Sequence, residues 1–406
     1  MNTPYLLAAD TLGPEEILAA KAVLDSGRLT MGERVAQFEQ AFAEYVGARH
    51  ALMVNSGSSA NLLMLDAQLR RTSDTACLTP GDEILVPGLS WPTTVWPIVQ
   101  HGFVPVFVDV DPHTLALDLD SAAAALGPRT KAMFLIHVLG RAPDMVPYLA
   151  FCRKHDLRLF EDTCEALGAH SGGRHAGTFG QAGSFSFYFS HHISTIEGGM
   201  LITNDPALHD DLTSLRAHGW IRGRSDAADI ARTNSGFDER FLFYSMGYNV
   251  RPTEIQGALG LVQLGRLEGM LKQREALARD VALWCARSAP WLELIGSEML
   301  ATPTAGSDRR HSWMTLPFRL RGDAPLARDE VVRRLEMQGV ETRPIIAGNL
   351  ARHPAVQRLK VRTPVAMSCA DHLFANGFMI GCHPVIVPGA GETLERAIGL
   401  LAEVGL

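Results

Sequence analysis

Between about residues 50 and 205, short runs of β-branched and aromatic residues alternate with stretches of helical period, and this constrains the fold more than any other feature. The strand candidates are "DEILVPGLSW", "VPVFVDVD", "KAMFLIHVLG", "RLFEDTCEALGA", "GSFSFYFS" and "GGMLITND"; helix candidates such as "TTVWPIVQHG" and "DMVPYLAFCRKHD" lie between them. The alternation predicts an α/β fold with a mainly parallel sheet covered by helices on both faces. Ligands of such sheets bind beyond the carboxyl ends of the strands, so the residues just after each run come first in a search for chemistry.

After a long helical pattern starting near "GYNVRPTEIQGALGLVQL", the texture changes to "SWMTLPFRL", "DEVVRRLEMQG" and "VETRPII". A strand, a helix and a strand set apart from the first sheet predict a smaller α+β domain. The division expected is 1–260, a large domain with an N-terminal arm, and 261–406, with a surface loop at "ATPTAGSDRR".

Composition removes several classes. A chain of 406 residues that is 47% hydrophobic buries a substantial core, which excludes a disordered protein. The net charge of -7 comes with no long basic run to follow a phosphate backbone, so no nucleic-acid partner is expected. No apolar run approaches the roughly 18 residues of a membrane span, and "MNTPYLLAADTLGPEE" lacks the basic and apolar regions of an export leader. Six scattered cysteines form no C-x-x-C pair, which predicts reduced thiols in a cytoplasmic protein and neither zinc nor an iron–sulfur cluster.

Three stretches carry candidate chemistry. In "VNSGSSANLLML", Ser-Gly-Ser-Ser before a helical run is either a phosphate cradle at a helix N-terminus or an ordinary cap. In "LFEDTCEALGA", a strand ends in Glu161, Asp162 and Glu165; a carboxylate there can pair with a protonated ring nitrogen, cap the next segment or bind a metal. In "FSFYFSHHISTIEGGM", alternating residues predict a strand that ends near His191 and His192, either satisfied core groups or acid–base residues.

Together, "GRLTMGERVAQFEQAF", "NSGSSANLLML", "FVDVD", "EDTCEALGA", "GTFG", "EGGM" and "GYNVRPTEIQGALGLVQL" resemble the sugar-aminotransferase family of pyridoxal-phosphate enzymes, over nearly the whole chain. The resemblance implies the aspartate-aminotransferase type fold (fold type I), with a mainly parallel seven-stranded sheet. Members hold the cofactor covalently on a lysine just before the "EGG" turn, but that position is His191 here. None of the five lysines (Lys21, Lys131, Lys154, Lys272, Lys360) lies near it. An imidazole cannot make that linkage, yet near neutral pH it accepts and donates protons.

The stretch "SHHISTIEGG" is similar to the branch of the family that removes a hydroxyl from a nucleotide-linked 4-keto-6-deoxy sugar. The missing cysteine cluster sets aside the subtype with an iron–sulfur centre. "VETRPIIAGNLARHP" and "NGFMIGCHP" resemble the other, which takes its amino group from L-glutamate and acts on GDP-4-keto-6-deoxy-D-mannose. The resemblance thus implies pyridoxal 5'-phosphate and pyridoxamine 5'-phosphate as cofactor forms and His191 as the catalytic proton carrier. Gly57, Ser58 and Ser186 are expected to hold the cofactor phosphate, Trp91 to stack on the ring, Asp162 to pair with its nitrogen and Glu165 to lie near its hydroxyl. Asn249 would reach the phosphate of a neighbouring subunit, which implies a homodimer with shared sites. His218, Arg222 and Arg343 are candidates for contacting glutamate or sugar, and a surface salt bridge is the alternative for Arg343. Strict alternation would put Ser186 and His191 on opposite faces, so the strand must bend or end before His191; His192 is the alternative base. Two other classes remain open on sequence: an aminotransferase with a lysine elsewhere, and a non-catalytic cofactor- or sugar-binding protein.

Overall fold

A computed structural model of the chain describes residues 3–69, 77–300, 308–383 and 389–404. The loop expected at "ATPTAGSDRR" lies outside the described residues through 307, as does Pro384 at the end of "NGFMIGCHP".

Seven strands form the large sheet: β1 (His50–Val54), β2 (Glu83–Pro87), β3 (Val104–Val108), β4 (Thr130–Ile136) and β5 (Arg158–Asp162), then, after a short hairpin of β6 (His170–Ser171) and β7 (Arg174–His175), β8 (Ala182–Ser186) and β9 (Gly199–Thr203). Their spatial order is β1-β9-β8-β5-β4-β2-β3. Only β9 runs against the rest, pairing antiparallel with both β1 and β8. All residues of β2, β3 and β9 are buried, as expected of strands covered on both faces. All six sequence candidates contain a strand, while β1, "HALMV", was not among them.

Helices α1 (Pro14–Ser26) and α2 (Glu33–Val46) precede the sheet, and α3 (Gly57–Leu69), α4 (Pro92–Gln100), α5 (Leu119–Ala125), α6 (Met145–Lys154), α7 (Pro206–Arg216) and α8 (Ala227–Thr233) follow its strands. One face of the sheet packs on α3, α4 and α7 through residues such as Val54, Phe160 and Leu201. The other packs on α5 and α6 through Leu85, Val106 and Leu159. Phe160 and Leu159 thus serve opposite layers, as alternation along β5 requires.

The 35-residue α9 (Glu254–Ser288) joins this body to a four-stranded antiparallel sheet of order β10-β11-β13-β12, made of β10 (Leu292–Leu294), β11 (Thr315–Leu320), β12 (Thr342–Arg343) and β13 (Gly377–Gly381). The helices α10 (Arg328–Met337), α11 (Ser368–Asn376) and α12 (Ala390–Gly399) belong to this part of the chain. Along α9, Leu267 and Leu271 pack with Phe38 and Phe42, whereas Leu277, Val281 and Cys285 belong to the core of the small sheet. We keep the division at 260 as a proposal; it falls within the first two turns of α9. Tyr5 from the N-terminal arm joins the small-sheet core and donates from its hydroxyl to the Gly381 carbonyl at 2.8 Å.

Candidate functional site

The last residues of β4, β5 and β8 (Ile136, Asp162 and Ser186) and the turn after β1 (Ser56–Ser58) line a cavity of about 480 Å³ at the carboxyl ends of these strands. Gly199, first in β9, pairs with Val54 on one side and Ser186 on the other. A Cβ on Gly199 would lie 2.3 Å from the Ser56 carbonyl oxygen, and one on Gly57 would lie 2.6 Å from Ser186 Cβ and 3.0 Å from Cys164 Sγ. Only glycine permits these approaches. Ser56 accepts the amide of Ser59 at its Oγ (3.1 Å) and that of Ala60 at its carbonyl (3.1 Å). The amides of Gly57 and Ser58, both lining the cavity, have no bond that the helix supplies, and they lie at the positive end of α3.

Asp162 ends β5 and is buried. Its Oδ2 accepts from Asn61 Nδ2 (2.8 Å) and Thr94 Oγ1 (2.7 Å), and its Oδ1 accepts the Cys164 amide (3.1 Å). These three donors fix the orientation of the carboxylate. Glu165 accepts the Leu139 amide at 3.0 Å; burial pushes its carboxyl up to about 7, with the Asp162 charge adding to the rise and the Leu139 bond opposing it. Trp91 sits at the start of α4 with 54% of its surface exposed, its ring lining the cavity.

The strand stops at Ser186, ending before His191 as the parity of the two residues requires. Phe185 and Phe187 are fully buried on one side of the sheet and pack edge-on to Phe42, with ring centroids at 5.0 and 5.5 Å. Burying each ring contributes on the order of 2–3 kcal/mol, so Ser186 between them is held toward the cavity. The chain then leaves the sheet and returns: the Phe187 amide donates to the Gly198 carbonyl and the Thr195 amide to the Phe187 carbonyl, both at 2.9 Å. Within this excursion the His191 amide donates to the Tyr188 carbonyl (2.9 Å), a turn that brings His191 to the cavity beside Ser186 despite the parity mismatch.

His191 Nδ1 has no hydrogen-bond partner. Burial lowers its ring to about 4; the Ser186 backbone and the Asp162 charge oppose the drop and Arg274 adds to it, so the imidazole is a neutral base at physiological pH. His192 is buried away from the cavity, with Nε2 bonded to the Ser312 carbonyl at 3.1 Å. None of the five lysines lines the cavity.

The structure thus brings together Gly57, Ser58, Trp91, Asp162, Glu165, Ser186 and His191. The remaining candidates lie elsewhere in their own chain. Asn249 is exposed and accepts from Arg251 Nε (2.9 Å). His218 and Arg222 are exposed on either side of Trp220, the imidazole edge-on at 5.7 Å and the guanidinium over the indole at 5.1 Å. Arg343 pairs with Glu341 at 2.5 Å across an exposed surface. Sequence reasoning missed Thr94, whose signal was its position one helical turn after Trp91, and the wall from the small-sheet side, Met314, Ile346 and Met379. Among the described residues no group of acidic, histidine and cysteine side chains could hold a metal. No described helix is long and apolar enough to cross a membrane.

The sequence profile of the DegT/DnrJ/EryC1/StrS aminotransferase family matches residues 10–396. A GDP-4-keto-6-deoxy-D-mannose 3-dehydratase of Yersinia pseudotuberculosis is 36% identical over 384 residues, 94% of each chain. The crystal structure of a GDP-4-keto-6-deoxymannose-3-dehydratase whose histidine is replaced by asparagine, with bound GDP-perosamine, superposes with a TM-score of 0.88 at 34% identity; the match covers 97% of this chain and 100% of that one. Another structure of such a dehydratase, with a trapped adduct of pyridoxal phosphate and glutamate, gives a TM-score of 0.86 at 34% identity over 98% and 99% of the two chains. The aminotransferase fold expected from the sequence is borne out by these likenesses.

Proposed function

This chain belongs to the DegT/DnrJ/EryC1/StrS aminotransferase family, and we propose that within it the chain is a pyridoxal-phosphate-dependent 3-dehydratase of GDP-4-keto-6-deoxy-D-mannose, with L-glutamate as amino donor. The observation that carries this reading is His191 facing one cavity with Asp162 and Ser186 while no lysine lines it.

The donor set fits the cofactor. Gly57, whose missing Cβ leaves room against Ser186, would hold the phosphate together with Ser58 and Ser186 at the N-terminus of α3. Trp91 would cover one face of the ring. Asp162, fixed by Asn61 and Thr94, would keep the ring nitrogen protonated, and Glu165 would lie beside the ring hydroxyl. When bound, pyridoxal phosphate supplies an electron sink, and its pyridoxamine form supplies the amine that meets the C4 ketone of the sugar. His191, neutral and without a partner at Nδ1, would be the residue that takes up a proton beside the bound cofactor's reacting carbon and gives one back in the same place. The product is a 4-keto-3,6-dideoxy sugar, with ammonia released on hydrolysis.

The partners follow from the same reading. Asn249 reaches the phosphate of a neighbouring subunit, and a homodimer completes both sites. In support, Phe237, Phe241, Phe243, Tyr244 and Met246, in the segment leading to Asn249, are 45–70% exposed, an apolar surface suited to a second copy. His218, Arg222 and Arg343 are the cations proposed for glutamate or sugar. The six cysteines, none in a disulfide, fit a cytoplasmic enzyme.

The test is an assay of purified protein with pyridoxal phosphate, L-glutamate and GDP-4-keto-6-deoxy-mannose, following sugar nucleotide and 2-oxoglutarate by mass spectrometry. Loss of the C3 oxygen with retention of the ketone is expected, and His191→Asn should abolish it with cofactor still bound. Gain of an amine by the sugar would instead make the protein a lysine-independent aminotransferase.

A further inference from the structure

We propose that His192 is the positioning residue for His191: by donating from Nε2 to the Ser312 carbonyl it holds the 187–195 excursion against the 311–314 strap and so sets where the neighbouring imidazole stands.

The excursion needs such a tie. Its two ends are packed, through Phe187 on one side and Ile193 and Thr195 on the other, but the Tyr188 and Phe189 side chains between them are 41% and 47% exposed, so packing fixes the ends more than the turn that carries His191. His192, by contrast, is 1% exposed. A carbonyl only accepts, so Nε2 carries the hydrogen in the 3.1 Å bond to Ser312. Nδ1 has no partner. Burial drives the ring well below its ordinary pKa, with Arg274 and His191 adding to that effect, so the neutral tautomer with hydrogen on Nε2 is the resident form.

The strap that accepts this bond is itself fixed. The Ser312 amide donates to the Gly140 carbonyl at 2.7 Å and the Met314 amide to the Leu139 carbonyl at 3.1 Å. Trp313 lies in the left-handed region at φ 49, facing Gly140 at φ 100, where a Cβ would come within 2.5 Å of the Trp313 amide nitrogen. Two such conformations locked together make a rigid anchor rather than a mobile loop. Leu139, in turn, is the residue whose amide holds Glu165, and Met314 is in the cavity wall. The strap therefore refers His191 to the same frame as the carboxylate across the site.

Arg274 of α9 adds a second tie to the same peptide unit. Its guanidinium is buried and donates to the carbonyls of Trp313 (3.2 Å), Met314 (2.9 Å) and Cys382, and at 3.5 Å to that of His191. The peptide between His191 and His192 is thus held from the carbonyl side by Arg274 and from the ring side by Ser312. Paired histidines at this strand exit have divided roles, one offered to the cavity and one holding its neighbour in register.

The kinetic arm rests on the dehydratase reading, and a second arm does not. His192→Leu fills the space without a donor, whereas His192→Gln can present an amide N–H close to the original Nε2. With holoenzyme, His192→Leu is expected to lower kcat about 10- to 100-fold with KM for both substrates within about twofold, because misplacement of the base costs the chemical step rather than binding. His192→Gln should recover most of kcat. In the cofactor-free protein, amide hydrogen exchange over 187–195 should rise in the leucine variant and return in the glutamine variant, while β2, β4 and β5 keep their protection. Unchanged kcat and exchange in His192→Leu would overturn the inference, as would loss of protection throughout the sheet without rescue by glutamine. Wild-type protein that never removes the C3 oxygen would sink the dehydratase reading alone, and the exchange measurement would still decide the role of His192.

Discussion

Glu161 and Asp162 are neighbours at the end of β5 whose carboxylates serve opposite faces of the sheet. Glu161 is fully buried and accepts from His137 Nε2 (2.7 Å) and from the amides of Gly177 (2.8 Å), Phe179 (2.6 Å) and Gly180 (2.6 Å). It is the internal tether of the "GTFG" loop. Asp162 turns the other way, to Asn61, Thr94 and the cavity. Two adjacent acids in the sequence are therefore one structural and one available to a ligand, and period two along the strand separates them.

Substitution should resolve the two. Glu161→Ala leaves three amides and an imidazole without their acceptor and should cost about 3–5 kcal/mol of stability. Asp162→Asn keeps an acceptor for Asn61 or Thr94 and should move the melting temperature little, while lowering turnover about 100-fold or more through loss of the fixed negative charge. Thermal melts alongside turnover decide it; equal destabilisation by both would remove the distinction.

The shared site makes a second prediction. If His191 acts in its own cavity and Asn249 in the partner's, a dimer of His191→Asn with Asn249→Ala has one site with both defects and one with neither. Refolding or co-expressing the two inactive variants should restore about a quarter of wild-type activity, the share expected when half the dimers are hybrids with one intact site. No recovery in verified hybrids would place Asn249 in the same site as His191.

How much of this was legible beforehand follows from where each residue's instructions reside. The sheet could be read because its strands carry their own pattern; β1, "HALMV", carries neither alternation nor a β-branched residue before Val54. Asp162 and Ser186 could be found because each ends a strand, Gly57 because it opens the helix after β1, and His191 because it occupies the lysine position before the "EGG" turn of the resembled family. The route from Ser186 to His191 could not, since it depends on Phe185 and Phe187 meeting α2, a contact between distant segments. Met314, Ile346 and Met379 carry no local sign of a cavity wall, and Ile346 holds a left-handed φ of 50 that no sequence rule assigns to a β-branched residue. Arg274, in "LKQREALARD", reads as a solvated helix residue and is 3% exposed.

Gly57→Ala tests the phosphate cradle directly. The new methyl would stand 2.6 Å from Ser186 Cβ, so either α3 or the end of β8 must shift. An overpacked site of this kind costs about 1–3 kcal/mol. Cofactor affinity, followed by fluorescence or absorbance titration, should fall about tenfold or more for the same change in free energy. A variant that binds pyridoxal phosphate as well as wild type would show that Gly57 has no part in the cradle.

The last prediction concerns Glu165 and has a definite sign. Burial raises its folded pKa to about 7 from an ordinary 4.5, so between those values the folded protein binds a proton that the unfolded chain has released. The contribution is therefore fully present below the unfolded value and is lost as pH rises through about 7. Glu165→Gln removes the ionisation but keeps an acceptor for the Leu139 amide. In cofactor-free protein the variant should gain stability over wild type as pH rises from 5 to 8, by up to roughly 3 kcal/mol, with the difference smallest at the acid end. Opposing this slope, His175, His191 and His209 are lowered to about 3, 4 and 4, chiefly by burial, and they destabilise the fold as pH falls below 6.5; both proteins share that loss, so it cancels in the comparison. A difference in melting temperature that stays flat with pH would show that Glu165 ionises at its ordinary value and is not held protonated beside Asp162.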